Sequence, residues 1–180
     1  MNHKKTTEEL GRKSPEELKD AEKHPVIVIL DDVRSMHNVG SVFRTCDAFA
    51  VEALYLCGYT PAPPHRDIHK TALGATETVS WKNFTATVDA VTAAQENGYK
   101  VFAVEQAHNS ILLHQLNWQH DKMALVFGNE VTGVNEEVLK IVDGCIEIPQ
   151  WGAKHSLNIS VSVGAVLWEM VRNPWRSMEN

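Results

Sequence analysis

With 180 residues, 43% of them hydrophobic and 22% charged, the chain has the ordinary composition of a soluble globular protein and the length of one domain. Its net charge of −6 excludes a generically basic nucleic-acid binder, so any nucleic-acid reading must rest on a local positive patch. A membrane span is not expected, since no apolar run approaches ~20 residues, and the polar start Met1–Glu9 has no signal-peptide core.

In chain order, Ser14-Pro15-Glu16-Glu17 combines an N-cap serine, proline at the first helical position and a glutamate three residues past the cap. This predicts a short helix from about Pro15 to Lys23, ended by Pro25. The run Val26–Leu30 reads as a strand buried on both faces. After a loop over Asp31–His37, apolar residues at Val39, Val42, Phe43, Cys46 and Phe49 keep a helical spacing. Ala53–Cys57 reads as a second strand, closed by Gly58. Residues 59–76 contain Pro61, Pro63, Pro64 and Gly74, which predicts a long irregular connection with about one turn of helix. A helix over Val88–Glu96 ends at Gly98, and strands follow at Val101–Val104 and Met123–Phe127. Asn135 is placed to cap a helix opening on Glu136 and Glu137, acids suited to the positive end of its dipole. A last strand, Cys145–Ile148, and a last helix, Leu157–Arg172 stopped by Pro174, complete the pattern.

Strands alternating with helices imply an α/β fold, a mostly parallel sheet flanked by helices. We expect one domain over residues 25–173, a helical extension over 1–24 and a short tail over 174–180. Cys46, Cys57 and Cys145 are odd in number and widely spaced, which suits reduced thiols in a cytoplasmic protein. Ligands of such folds sit at the carboxyl ends of strands. The loops to inspect are therefore Asp31–Asn38, Gly58–Gly74, Gly128–Gly133 and Pro149–Ser156.

The loop Gly128-Asn129-Glu130-Val131-Thr132-Gly133 follows a strand and precedes a helix, and its two glycines permit a tight turn close to a ligand. No dinucleotide fingerprint, Walker loop, nucleophile elbow or zinc-protease motif occurs. The last helix is apolar or small on nearly every face, which predicts burial all round. On these grounds alone a flavodoxin-like ligand-binding domain would be the reading.

Three blocks together resemble the SpoU/TrmH family of the SPOUT, or α/β-knot, methyltransferases. They are Asn38-Val39-Gly40-Ser41-Val42-Phe43-Arg44 with the residues to Phe49, Leu125–Val134, and Ile148-Pro149 through Glu169. The resemblance covers residues 38–169 and implies a C-terminal trefoil knot, a homodimer, and S-adenosylmethionine as cofactor of an RNA ribose 2′-O-methyltransferase. It implies a cofactor site at Val104, Gly128, Asn129, Ile148, Pro149, Trp151, Leu157 and Ser160, with no metal. Arg44 matches the family's catalytic arginine. A guanidinium is a poor general base, so its expected work is to orient the 2′-oxygen or a phosphate. An ion pair with Asp47 is its bland alternative.

Asn38, Glu130, Ser156 and Asn158 complete the expected catalytic set. Asn38 also stands where a helix cap is expected, Ser156 has a capping alternative, and Glu130 suits either the positive sulfonium or Arg44. His65 and His69, four residues apart around Asp67, have a metal-like spacing, but no other ligand cluster accompanies them. Together with Arg66 and Lys70 they fit RNA contact better. With Lys4, Lys5, Arg12 and Lys13 at the start and Arg172 and Arg176 at the end, they form the candidate phosphate patch. tRNA is expected ahead of rRNA, because a separate N-terminal RNA-binding domain is absent from the chain. The alternative of another class is a catalytically inactive knotted RNA-binding or ribosome-assembly factor.

Overall fold

β-Branched side chains favour extended backbone, and the run at 26–30 forms the heart of strand β1 (His24–Asp31). The computed structural model describes residues 2–6 and 8–178, with 173–178 described as helical backbone only. Around β1 the chain adds helix α1 (Pro15–Asp20), α2 (Met36–Ala48), β2 (Val51–Cys57), α3 (Arg66–Ala72), β3 (Trp81–Phe84), α4 (Thr87–Glu96) and β4 (Lys100–Val104). It continues through β5 (Ile111–Leu112), a 3₁₀ turn (Leu113–Gln115), β6 (Met123–Phe127), α5 (Glu136–Leu139), β7 (Gly144–Glu147) and α6 (Ile159–Met178).

The strands form one sheet in the order β3-β2-β1-β6-β4-β7-β5, with every neighbouring pair parallel. β1 lies inside, with Val28 opposite Leu54 of β2 and Leu125 of β6. Alternation along the strand sends Val26, Val28 and Leu30 into one layer with Phe43, Ile68 and Leu167. Ile27 and Ile29 enter the other with Ala90, Val91 and Val138. Each such fully buried aliphatic side chain contributes about 1.5–3 kcal/mol, which is why the strand tolerates no polar position.

Asp31, buried at the end of β1, is the exception that joins layers. Its carboxylate accepts from the Thr87 hydroxyl and, at 2.8 Å, from the Asn135 amide, tying β1 to the starts of α4 and α5. Burial beside it pushes the Cys57 thiol up to about 12, partly offset by a hydrogen bond with Thr87, while Asp31, Asp32 and Asp89 add to the rise.

Several elements differ from expectation. α1 forms its capping box but stops at Asp20 rather than Lys23, and none of its residues is buried. The connection at 59–76 holds the seven-residue α3, and the short β3 and β5 had no periodic signal. Pro174 does not stop α6, which runs on to Met178. Proline's fixed φ is already helical, and the ladder loses one N–H donor there. Nor is α6 buried all round. Val163, Val166, Leu167 and Met170 are buried, but Val161 and Trp168 stand 54% and 59% exposed. The helix lies against α2 and so covers only one of its faces. Among the described residues no helix is long and apolar enough to cross a membrane.

Candidate functional site

Because all the strands are parallel, the carboxyl ends of β1, β4, β6 and β7 lie along one edge of the sheet. The turn after β6 closes through reciprocal bonds between Asn129 and Gly133, both 3.0 Å. The Asn129 side chain locks it: Oδ1 accepts from the Val131 and Thr132 amides, and Nδ2 donates to the Asp32 carbonyl at 2.7 Å. Asn129 therefore spends its side-chain amide and its backbone N–H on the turn itself. Gly128 is required by close approach, since a Cβ there would fall under 3.0 Å from three backbone atoms of Gly133 and Val134.

This turn, the ends of β4 and β7 and the segment His155–Ile159 enclose a cleft of about 480 Å³. Of the residues assigned to the cofactor by resemblance, Val104, Gly128, Asn129, Ile148 and Leu157 line this cleft. Pro149, Trp151 and Ser160 are not among its lining residues; Trp151 is 92% exposed, and Ser160 is turned to Asn158. The walls combine apolar Val104, Phe127, Ile148 and Leu157 with the carboxylates of Glu105, Glu130 and Glu136, a lining suited to a ligand with a flat ring and positive charge. Gln150 and His155, from the loop Pro149–Ser156, also line the cleft, as do Glu105 and Gln106, which lie outside every loop singled out from the sequence. The one available signal for Glu105 was its place directly after a strand end.

A second arrangement adjoins the cleft. Ser35, not Asn38, is the N-cap of α2, and its hydroxyl accepts from the Asn38 amide at 3.2 Å. Asn38, in the first turn, is free to turn its side chain outward. Its Nδ2 donates to Glu130 at 2.9 Å, and its Oδ1 accepts from Asn158 Nδ2 at 3.1 Å. Asn158, rather than Ser156, caps α6: its Oδ1 accepts from the Ser160 amide at 2.9 Å and the Ser160 hydroxyl at 2.6 Å. The end points orient the line. The α6 amide needs an acceptor, so Asn158 must face Asn38 with its NH₂. Asn38 must then present its own NH₂ to Glu130, which as a carboxylate only accepts. Three of the expected catalytic residues are thus brought together, and Ser156 lines the cleft beside them.

Arg44 stands exposed on α2 and forms no salt bridge among the described residues. Its bland partner Asp47 is occupied by the Thr78 hydroxyl. On α3, His65 is the N-cap, accepting from the Asp67 amide through Nδ1 at 3.2 Å. Lys70 donates to Asp67 at 2.8 Å and holds that carboxyl below its ordinary range, so this pair answers to helix structure. Arg66, His69 and Lys70 remain exposed, and Thr71 joins α3 to α2 by donating to the His37 carbonyl at 3.1 Å. Arg172 is engaged by Glu169, and the side chain of Arg176 lies outside the described residues.

Residues 25–168 match the model of the SpoU rRNA methylase family. The chain is 32% identical over 155 residues to a 23S rRNA (guanosine-2′-O-)-methyltransferase of Neisseria meningitidis serogroup B, covering 86% of this chain and 61% of that protein. It is 29% identical over 164 residues to a tRNA (guanosine(18)-2′-O)-methyltransferase of Thermus thermophilus, covering 91% and 83%. It also superposes on the crystal structure of an AdoMet-bound rRNA methyltransferase from Sinorhizobium meliloti with a TM-score of 0.78 at 27% identity, over 90% of this chain and 61% of that one.

Proposed function

The chain belongs to the SpoU rRNA methylase family, and from that premise we propose that it transfers a methyl group from S-adenosylmethionine to a ribose 2′-oxygen of RNA. One observation carries the reading: Glu130 lines the cleft and also ends the line Asn158–Asn38–Glu130, so ligand-holding and reaction-side groups share one locked turn. The cleft fits the cofactor. Val104, Phe127, Ile148 and Leu157 supply apolar walls for the adenine, and Glu130 and Glu136 supply negative charge opposite a sulfonium and an ammonium.

When bound, S-adenosylmethionine supplies the electrophilic methyl group. Asn38, held from both sides, fixes the Glu130 carboxylate on the cleft wall. A guanidinium donates hydrogen bonds and does not accept them, so Arg44 acts as a fixed donor. It orients the ribose 2′-oxygen or a flanking phosphate and stabilises charge developing on that oxygen. Exposure, and the lack of an acidic partner among the described residues, leave it available to RNA, and Arg66, His69 and Lys70 extend the contact to phosphates.

The same reading includes a homodimer and the trefoil knot that the family resemblance implies. The exposed Val161 and Trp168, two helical turns apart on α6, support a second copy packing there. The rRNA relative reported above is longer than the match, which spans 61% of it, and its identity to this chain is close to that of the tRNA enzyme. We take tRNA as the first substrate, with rRNA as competitor.

The test uses purified protein, radiolabelled methyl donor, and bulk tRNA and rRNA in separate arms, beside Arg44→Ala. Label should enter tRNA, and the variant should lose about 100-fold or more of the rate. Cofactor binding without transfer to any RNA would favour the RNA-binding or assembly role. A protein that binds no cofactor overturns both.

A further inference from the structure

Glu105 follows directly on β4 and lies on the cleft wall, yet neither the line through Asn38 nor the candidate RNA surface uses it. Each of its carboxylate oxygens is fixed by one backbone amide. Oε1 accepts from Gln106 N at 2.9 Å, and Oε2 accepts from Val134 N at 3.0 Å. Gly133, with φ +70°, makes room for it, since a Cβ there would collide with Oε2. Among the described residues no cation pairs with this carboxylate. An ionised carboxyl group has about four acceptor positions, so roughly one remains on each oxygen. Two adjacent, rigidly held acceptors match a ligand with two adjacent neutral donors, which is a ribose cis-diol. Glu130, at the tip of the same turn, is already engaged by Asn38, whereas the amides on Glu105 come from Gln106 and Val134 and leave its oxygens half open.

Resting on the adenosyl-cofactor reading, we infer that Glu105 accepts the 2′- and 3′-hydroxyls of the cofactor ribose and makes the cleft selective for an intact ribose. The experiment is isothermal titration of wild type, Glu105→Gln and Glu105→Ala with S-adenosylhomocysteine, 5′-methylthioadenosine and 2′-deoxy-5′-methylthioadenosine, with thermal melts to check folding. Neither of the last two ligands carries an ammonium, so their ratio isolates the hydroxyl. Wild type should prefer the ribose form about tenfold or more, as for a hydrogen bond to a charged group. Both variants should bring that ratio to within about twofold. Affinity for the 2′-deoxy ligand reads the separate role of Glu105 as a prop for the turn. Equal weakening of both nucleosides, or an unchanged ratio, overturns the inference. So does a loss confined to S-adenosylhomocysteine, which would assign the carboxylate to the ammonium. Should wild type bind none of the three ligands, the cofactor reading itself fails.

Discussion

Gly128→Ala is the sharpest perturbation that the cleft offers. The added methyl would lie under 3.0 Å from the Gly133 carbonyl carbon, its oxygen and the Val134 nitrogen, all of them backbone atoms. Relief requires the turn to open, and the two Asn129–Gly133 bonds at 3.0 Å cannot survive that. Two lost hydrogen bonds cost about 1–3 kcal/mol together. Displacing Val134, which is 5% exposed, adds an overpacking cost of about 1–3 kcal/mol. The folded state with a formed turn is therefore weakened by about 2–6 kcal/mol, while the sheet beneath is untouched. Urea denaturation should show the loss as a lower midpoint with an unchanged slope. Titration with S-adenosylhomocysteine should show affinity reduced by about 30-fold or more. If Gly128→Ala bound this ligand within twofold of wild type, the argument that the turn must close to form the cleft would be wrong.

Asn158→Asp separates the cap of α6 from the line to Glu130. The carboxylate still accepts from Ser160 but cannot donate to Asn38, so stability should stay within about 0.5 kcal/mol while kcat falls roughly tenfold to a hundredfold, read by chemical denaturation and initial rates. Charge reversal at Arg66 and Lys70 should weaken RNA binding and lower its salt slope by about one to two, measured by filter binding across a salt series; an unchanged slope removes α3 from the interface. Cys57 ionises at about 12 in the fold against 9.0 ordinarily, so the unfolded chain releases that proton first. Its contribution is complete below pH 9 and declines by about 1.4 kcal/mol per pH unit from there toward 12; Cys57→Ala should flatten the stability curve by that slope.

The parts of the molecule that were legible beforehand are those fixed by local chemistry. The 26–30 run needed only its β-branched residues to declare a strand with two buried faces, and the capping box at Ser14–Glu17 and the Asn135 cap formed as their side chains dictate. Elements held by their neighbours were not legible. β3 is half-exposed and exists by pairing with β2, and α3 begins at a histidine cap among prolines. The cap of α2 was misplaced because Ser35 and Asn38 both suit the role, and only the folded backbone shows whose oxygen meets an amide. Likewise Asn38, Glu130 and Asn158 were expected separately, but their union spans 92 and 120 residues of sequence, a distance that no periodicity encodes. Glu105 stayed hidden for the same reason: its meaning comes from Gly133 and Val134 on another loop.

Ribose 2′-O-methylation supported by Arg44 can be read chemically, by nucleoside mass spectrometry of RNA treated with the purified protein. Wild type should form a 2′-O-methylnucleoside, inside a dinucleotide that resists alkali, and Arg44→Ala should reduce it about 100-fold. A base-methylated nucleoside, or an equal yield from the variant, would contradict it.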